Sequence, residues 1–187
     1  MKKTLFTVIS LLLTAACLLC GCESALAESD PPKVVIYNSG YQQDDQQIAV
    51  FGKAASGTEL PILRIDSKEA MDSFNQKAKE HFYVDEEGES DELAAGTDYD
   101  EAVSPYTDEF FEEKVLIACF AYASHSPALF EVNDISIKDG KLTVIVESMA
   151  MSVDYLMDGC FIFIELPKND LKGVTELSAN LNSEEMA

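Results

Sequence analysis

Two apolar runs in the C-terminal half set the terms for the rest of the chain. Residues 115–122 (VLIACFAY) are apolar at odd and even positions alike. A strand of that composition has two faces to hide, so it belongs in the middle of a sheet. Residues 161–166 (FIFIEL) form the second strong strand signal, stopped by Pro167. Between them, residues 129–137 and 141–148 flank Asp139-Gly140. This dipeptide accepts the two positive φ angles of a tight hairpin. In the second arm Leu142, Val144 and Val146 alternate with Thr143, Ile145 and Glu147. Ahead of the first run, Thr107 or Asp108 can cap a short helical turn through Phe111, and residues 174–181 are expected to add an edge strand.

Upstream of this block the signals are shorter. Residues 34–37, 48–51 and 60–65 are strand candidates, and the QQDDQQ segment around Asp44 reads as a solvated loop. A helix is expected from Asp66, which stands as N-cap with Glu69 three residues on, the pattern of a capping box. Met71, Phe74, Ala78 and Phe82 recur at helical spacing and form its buried face, while Lys68, Asp72, Gln76, Lys77 and Lys79 face water. His81 falls in the last turn, where a histidine complements the helix dipole. Strands with at least one amphipathic helix give an α+β class: an antiparallel or mixed β-sheet packed by that helix.

The first residues of the chain read as an address. Lys2 and Lys3 precede a nearly unbroken apolar run from Leu5 to Leu19. At about fifteen residues it is short of the roughly twenty that a spanning helix needs, so it reads as a signal peptide. The run ends in Leu19-Cys20-Gly21-Cys22, which resembles a bacterial lipobox and makes Cys22 the expected lipidated residue. Cys17 after Thr14-Ala15-Ala16 and an A-x-A site at Ala25-Leu26-Ala27 are competing processing points. The organisation expected is a signal peptide over 1–21, a lipidated, polar tether over 22–33 and one domain over 34–187. Within that domain, 34–105 carries N-terminal strands, helix and an acidic loop, and 106–181 carries the core sheet. Acyl chains bury many CH₂ groups at about 0.8 kcal/mol each, which holds a domain on the membrane without spanning it. The expected location is therefore the extracytoplasmic face of the cell membrane.

Charge narrows the partners. The net charge is −21, and removal of the leader makes it two units more negative. Such a surface repels phosphate backbones and anionic headgroups, which argues against nucleic acid. Residues 85–101 concentrate acidic side chains among Gly, Ser and Ala. Their oxygen ligands suit Ca²⁺ in kind, but the EF-hand spacing is missing, and a mobile surface loop is the simpler reading.

Residues that could carry chemistry are few. Ser124-His125-Ser126 is the one place where a nucleophile type meets a base type. Adjacent strand residues point apart, and no G-x-S-x-G elbow, H-E-x-x-H, C-x-x-C or glycine-rich phosphate loop occurs. No metal and no cofactor are expected. Ser124, His125, Ser126 and Pro127 remain as candidate binding residues in a loop, with a hydrolase centred on Ser124 and His125 as the enzymatic alternative. Once the leader is gone and Cys22 is lipidated, Cys119 and Cys160 are the remaining thiols. They are read as two buried thiols, with a disulfide as the competing state.

The segments EFFEEKVLIA, IKDGKLTVIV and FIFIELPKND, within residues 106–173, resemble uncharacterised lipoproteins of Firmicutes. More distantly they resemble the PrcB-like family, exported accessory subunits that stabilise a cell-surface protease complex. In place of that family's Gly-rich turn, residues 124–130 read SHSPALF here. The resemblance implies a non-catalytic binding or accessory module for an envelope protein and carries no catalytic residue across. A small-molecule or Ca²⁺-binding lipoprotein is the alternative that the acidic segment suggests.

Overall fold

The two apolar runs are hydrogen-bonded neighbours. In this computed structural model, which describes residues 31–38, 43–82, 99–122, 128–150 and 159–183, β4 (Lys114–Tyr122) pairs antiparallel with β7 (Gly159–Pro167) along its whole length. Around this pair stand β1 (Lys33–Asn38) beside β7 and β3 (Ile62–Ile65) beside β4, giving sheet A in the order β1-β7-β4-β3. Sheet B runs β2-β8-β6-β5, built from β2 (Glu59–Leu60), β8 (Glu176–Ser183), β6 (Lys141–Ala150) and β5 (Ala128–Lys138). Every pairing is antiparallel except β6 with β8, so sheet B is mixed.

Alternation along β4 and β7 sorts the core into two layers. Val115, Ile117, Cys119 and Ala121 of β4, with Cys160, Ile162, Ile164 and Leu166 of β7, meet Leu142, Val144, Val146 and Ala179 from sheet B. The intervening Leu116, Ala118, Phe120, Phe161 and Phe163 face four helices. These are α1 (Asp44–Phe51), α2 (Lys68–His81), α3 (Tyr99–Val103) and α4 (Asp108–Glu113). The result is a helix layer, a central sheet and an outer sheet, an α+β architecture. Phe161 sits at the middle of the aromatic layer, its ring within 4.7 Å of Phe82, 5.8 Å of Phe120 and 5.9 Å of Phe163, centroid to centroid.

The N-terminal strands are not a preface. β1 and β3 flank the central pair, and β2 completes sheet B, so residues from 33 to 65 supply three of the four sheet edges. β2 and β3 are one path bent at Pro61, which carries the chain from sheet B to sheet A and closes that side of the sandwich. The Phe120 N–H donates to the Pro61 carbonyl (3.1 Å), keeping the ladder intact through the bend.

Several local expectations shift. Residues 44–51 form helix α1 rather than loop and strand. The Gln43 N–H donates to Gln46 Oε1 (2.7 Å), and Gly52, at φ 78°, ends the helix with its N–H on the Ile48 carbonyl (2.9 Å). Two glutamines then fasten α1: Gln46 Nε2 donates to the His81 carbonyl (2.6 Å), and buried Gln47 Oε1 accepts from the Ala55 N–H (2.8 Å). The N-cap of α2 is Ser67, whose hydroxyl accepts from the Ala70 N–H (3.1 Å). Asp66 instead takes a bidentate contact from Arg64. The expected buried face of α2, Met71, Phe74, Ala78 and Phe82, is buried. β8 is interior to sheet B, not an edge.

The hairpin at Asp139-Gly140 has both residues at positive φ, 51° and 77°. A Cβ on Gly140 would stand 3.0 Å from the Gly173 carbonyl oxygen. The Gly140 carbonyl accepts from the Thr175 (2.8 Å) and Glu176 (3.2 Å) N–H groups, which sets β8 down parallel to β6. Replacing Phe161 with Ala should remove about 3–5 kcal/mol of stability. Ile145→Thr, on the outer face of β6, should change it by no more than about 0.5 kcal/mol. Urea unfolding followed by circular dichroism checks both.

Candidate functional site: an open sheet edge and a buried charge cluster

The residues expected to carry binding, Ser124, His125, Ser126 and Pro127, lie outside the described residues, as do Cys22 and positions 85–98 of the acidic segment. The described tail of that segment is helix rather than loop: Asp100 and Glu101 stand in the first turn of α3, and Asp100 pairs with Lys79 (2.6 Å). Among the described residues, no three His, Cys, Asp or Glu side chains gather as a metal site, and no helix is long and apolar enough to cross a membrane.

Among the described residues, one carboxylate is buried. Glu165 interrupts the apolar run of β7 on the face that looks toward the helices, with a side chain only 5% exposed. Each of its oxygens meets one ammonium: Lys33 Nζ at 2.9 Å from Oε1 and Lys114 Nζ at 2.9 Å from Oε2. Desolvating a carboxylate is costly, and two cations in direct contact offset it. The lysine heads stay near water, at 59% and 45% side-chain exposure, so the cluster joins the core to the surface where the chain enters sheet A. Tyr106 lies in the same electrostatic neighbourhood. It is 1% exposed, its hydroxyl has no hydrogen-bond partner, and burial first and Glu165 second raise its phenol above the usual range. The lone Glu inside FIFIELP was a visible signal for this cluster.

Cys119 and Cys160 are free and fully buried between the sheets, as the reading of two thiols expected. Cys119 is in register with Ile162, and Cys160 with Ala121, so the two are diagonal neighbours on one face. Diagonal positions lie about 7–8 Å apart, while disulfides hold Cα atoms within about 6.8 Å. Burial pushes the Cys119 thiol up to about 12 and raises Cys160 in the same direction.

Among the described residues, the side of the sandwich opposite Pro61 is open. There β1 ends sheet A and β5 ends sheet B. A cleft of about 260 Å³ runs between them, lined by Pro31, Pro32 and Val34 on one wall and residues 132–135 on the other. The β5 wall is bulged: Val132 pairs with Val146, but Asp134 already pairs with Ile145, leaving Asn133 as the extra residue. The bulge corrects the phase of the sequence. Phe130 and Val132 point inward before it and Ile135 and Ile137 after it, so the Asn-Asp pair never faces the core.

No family model, curated protein or solved structure matches this chain.

The double variant Lys33→Ala/Lys114→Ala should lose about 3 kcal/mol in urea unfolding, because it strands a buried carboxylate. Lys33→Ala alone, which leaves Lys114 in place, should lose about 1 kcal/mol or less. Cys119 and Cys160 should resist alkylation in the folded protein and both react after unfolding without reductant, by peptide mass mapping. Their thiols ionise more readily in the unfolded chain, so stability should fall as pH rises above about 9 and keep falling toward 12.

Proposed function

We propose that this chain is an exported lipoprotein, held on the extracytoplasmic face of the cell membrane through lipidated Cys22. Its domain serves there as a non-catalytic binding or accessory module for an envelope protein. The observation that carries the reading is the open side of the sandwich. The opposite side is closed by the strand path through Pro61, whereas β5 and β1 leave two edges and a cleft uncovered by any described residue. Unpaired strand edges are recognition surfaces, since their backbone groups take an added strand.

The N-terminal sequence supports the address. A charged start, a short apolar run and Cys22 are followed by a polar tether, and β1 begins at Lys33, where that tether ends. Lys33 is fastened to Glu165, so the domain meets its tether at an ion-paired strand beside the cleft. A tether of this length confines the domain near the bilayer and raises its effective concentration toward membrane-bound partners. The segments within residues 106–173 that distantly resemble protease-complex accessory subunits fit the same role.

Replacing Cys22 with Ala should abolish incorporation of an alkyne-labelled fatty acid and move the protein from the membrane to the soluble fraction. Affinity capture of the tagged wild type from native membranes should retrieve one envelope protein in stoichiometric amount. Capture of the tagged chain alone would overturn the accessory role, and fatty acid retained in Cys22→Ala would overturn the assignment of the anchor.

A further inference from the structure

At eleven residues β5 is the longest strand among the described residues, and it pairs on one side only. No backbone hydrogen bond from any other described segment reaches its outer edge. The hairpin geometry tells which groups face out. In a two-residue hairpin the pair that closes the loop, here Lys138 with Lys141, exchanges both hydrogen bonds. Alternation then turns the N–H and C=O of Ile137 and Ile135 to the open edge, while their side chains stay in the core. The regular stretch from Asp134 to Lys138 is therefore a short, preformed template.

Charge selects what can sit on it. Glu131 and Glu147 stand directly opposite each other on the outer face, a like-charge pair that destabilises a sheet unless something offsets it. Among the described residues, the Asn133 amide donates to Glu147. Asp134 adds a third carboxylate at the cleft. None of the three forms an ion pair within the described residues, although Arg64 pairs with Asp66 and lysines elsewhere pair with Glu59, Asp72, Asp100, Glu165 and Glu176. A second copy of this chain would bring like charges edge to edge and carries a net charge of −21 itself. The bulge and the carboxylates thus work against self-pairing. They leave a cationic strand as the complementary occupant.

We propose that the outer edge of β5 takes up an extended, lysine- or arginine-bearing segment of a partner protein as an added strand. Its backbone pairs with Ile135 and Ile137, its cations face Glu131, Asp134 and Glu147, and one apolar side chain enters the cleft between Val34, Val132 and Ile135. The assignment rests on the binding-module reading and names the chemistry of its partner.

The probe is a labelled, end-capped peptide of seven residues alternating lysine and valine, titrated by fluorescence anisotropy at physiological ionic strength. A fully N-methylated peptide of the same sequence keeps the charge and side chains but removes the backbone donors. The parent peptide should bind, and the N-methylated one at least tenfold more weakly. The double variant E131Q/E147Q should weaken parent binding at least threefold while its melting temperature does not fall. Equal affinity of the two peptides, or no binding of the parent, would overturn the edge assignment. The same double variant, tagged and lipidated, separates the two readings. If it captures the wild-type's envelope partner undiminished, the accessory role stands and the edge assignment falls. If the peptide binds as expected and no envelope protein is captured, the edge assignment stands and the accessory role falls.

Discussion

Everything in this molecule depends on the pairing of β4 with β7, because both strands must be hidden on both faces. Fully burying one large apolar side chain contributes about 1.5–3 kcal/mol, and these two strands bury nearly all of theirs. One covering layer would leave half of that surface in water. The chain therefore supplies two: helices bring Phe51, Phe74, Phe82 and Tyr99 to one face, and sheet B brings Leu142, Val144 and Val146 to the other. Phe74 meets Phe161 and Phe163 edge-on and Phe82 meets Phe120 the same way, an arrangement favoured by the ring quadrupole, while Phe51 and Tyr99 lie tilted against Phe161.

Two polar exceptions show how the fold accommodates what the apolar pattern cannot. Glu165 lies within the central strand and is matched by an ammonium on each oxygen, so a costly burial becomes a tie between core and surface. The Asn133-Asp134 pair would reverse the phase of β5 and turn its isoleucines to solvent. The bulge absorbs one residue and restores them to the core. The bulge sits at the β1/β5 side of the sandwich and the Glu165 cluster on the helix-facing side of sheet A, and both keep a charged sequence compatible with a dry interior.

The strands of the C-terminal half were legible because their signals are local. The both-face apolarity of β4, the Asp139-Gly140 turn and the Met71/Phe74/Ala78/Phe82 stripe each follow from side-chain period or turn chemistry within a few residues. Helix α1 was misread because its Val50 and Phe51 favour strand, while its anchoring comes from glutamines bonded to Ala55 and His81. Ser67 displaced Asp66 as the cap of α2 because Arg64, two residues back along β3, holds the Asp66 carboxylate. The residues singled out for binding at 124–127 fall outside the described chain, and the open edge was legible only as the first arm of a hairpin.

By itself the sequence determined the α+β class, the hairpin and the burial of both thiols, since these depend on period, turn preference and apolar content. Its leader also carries the expectation of export. The tertiary structure alone decided that β1, β2 and β3 complete the two sheets, that β8 lies inside one of them parallel to β6, and that β5 is the exposed edge. Which strands become neighbours is set by how layers cover the central pair across long separations. No window of the sequence contains that information, because each pairing is chosen by the burial it makes possible somewhere else.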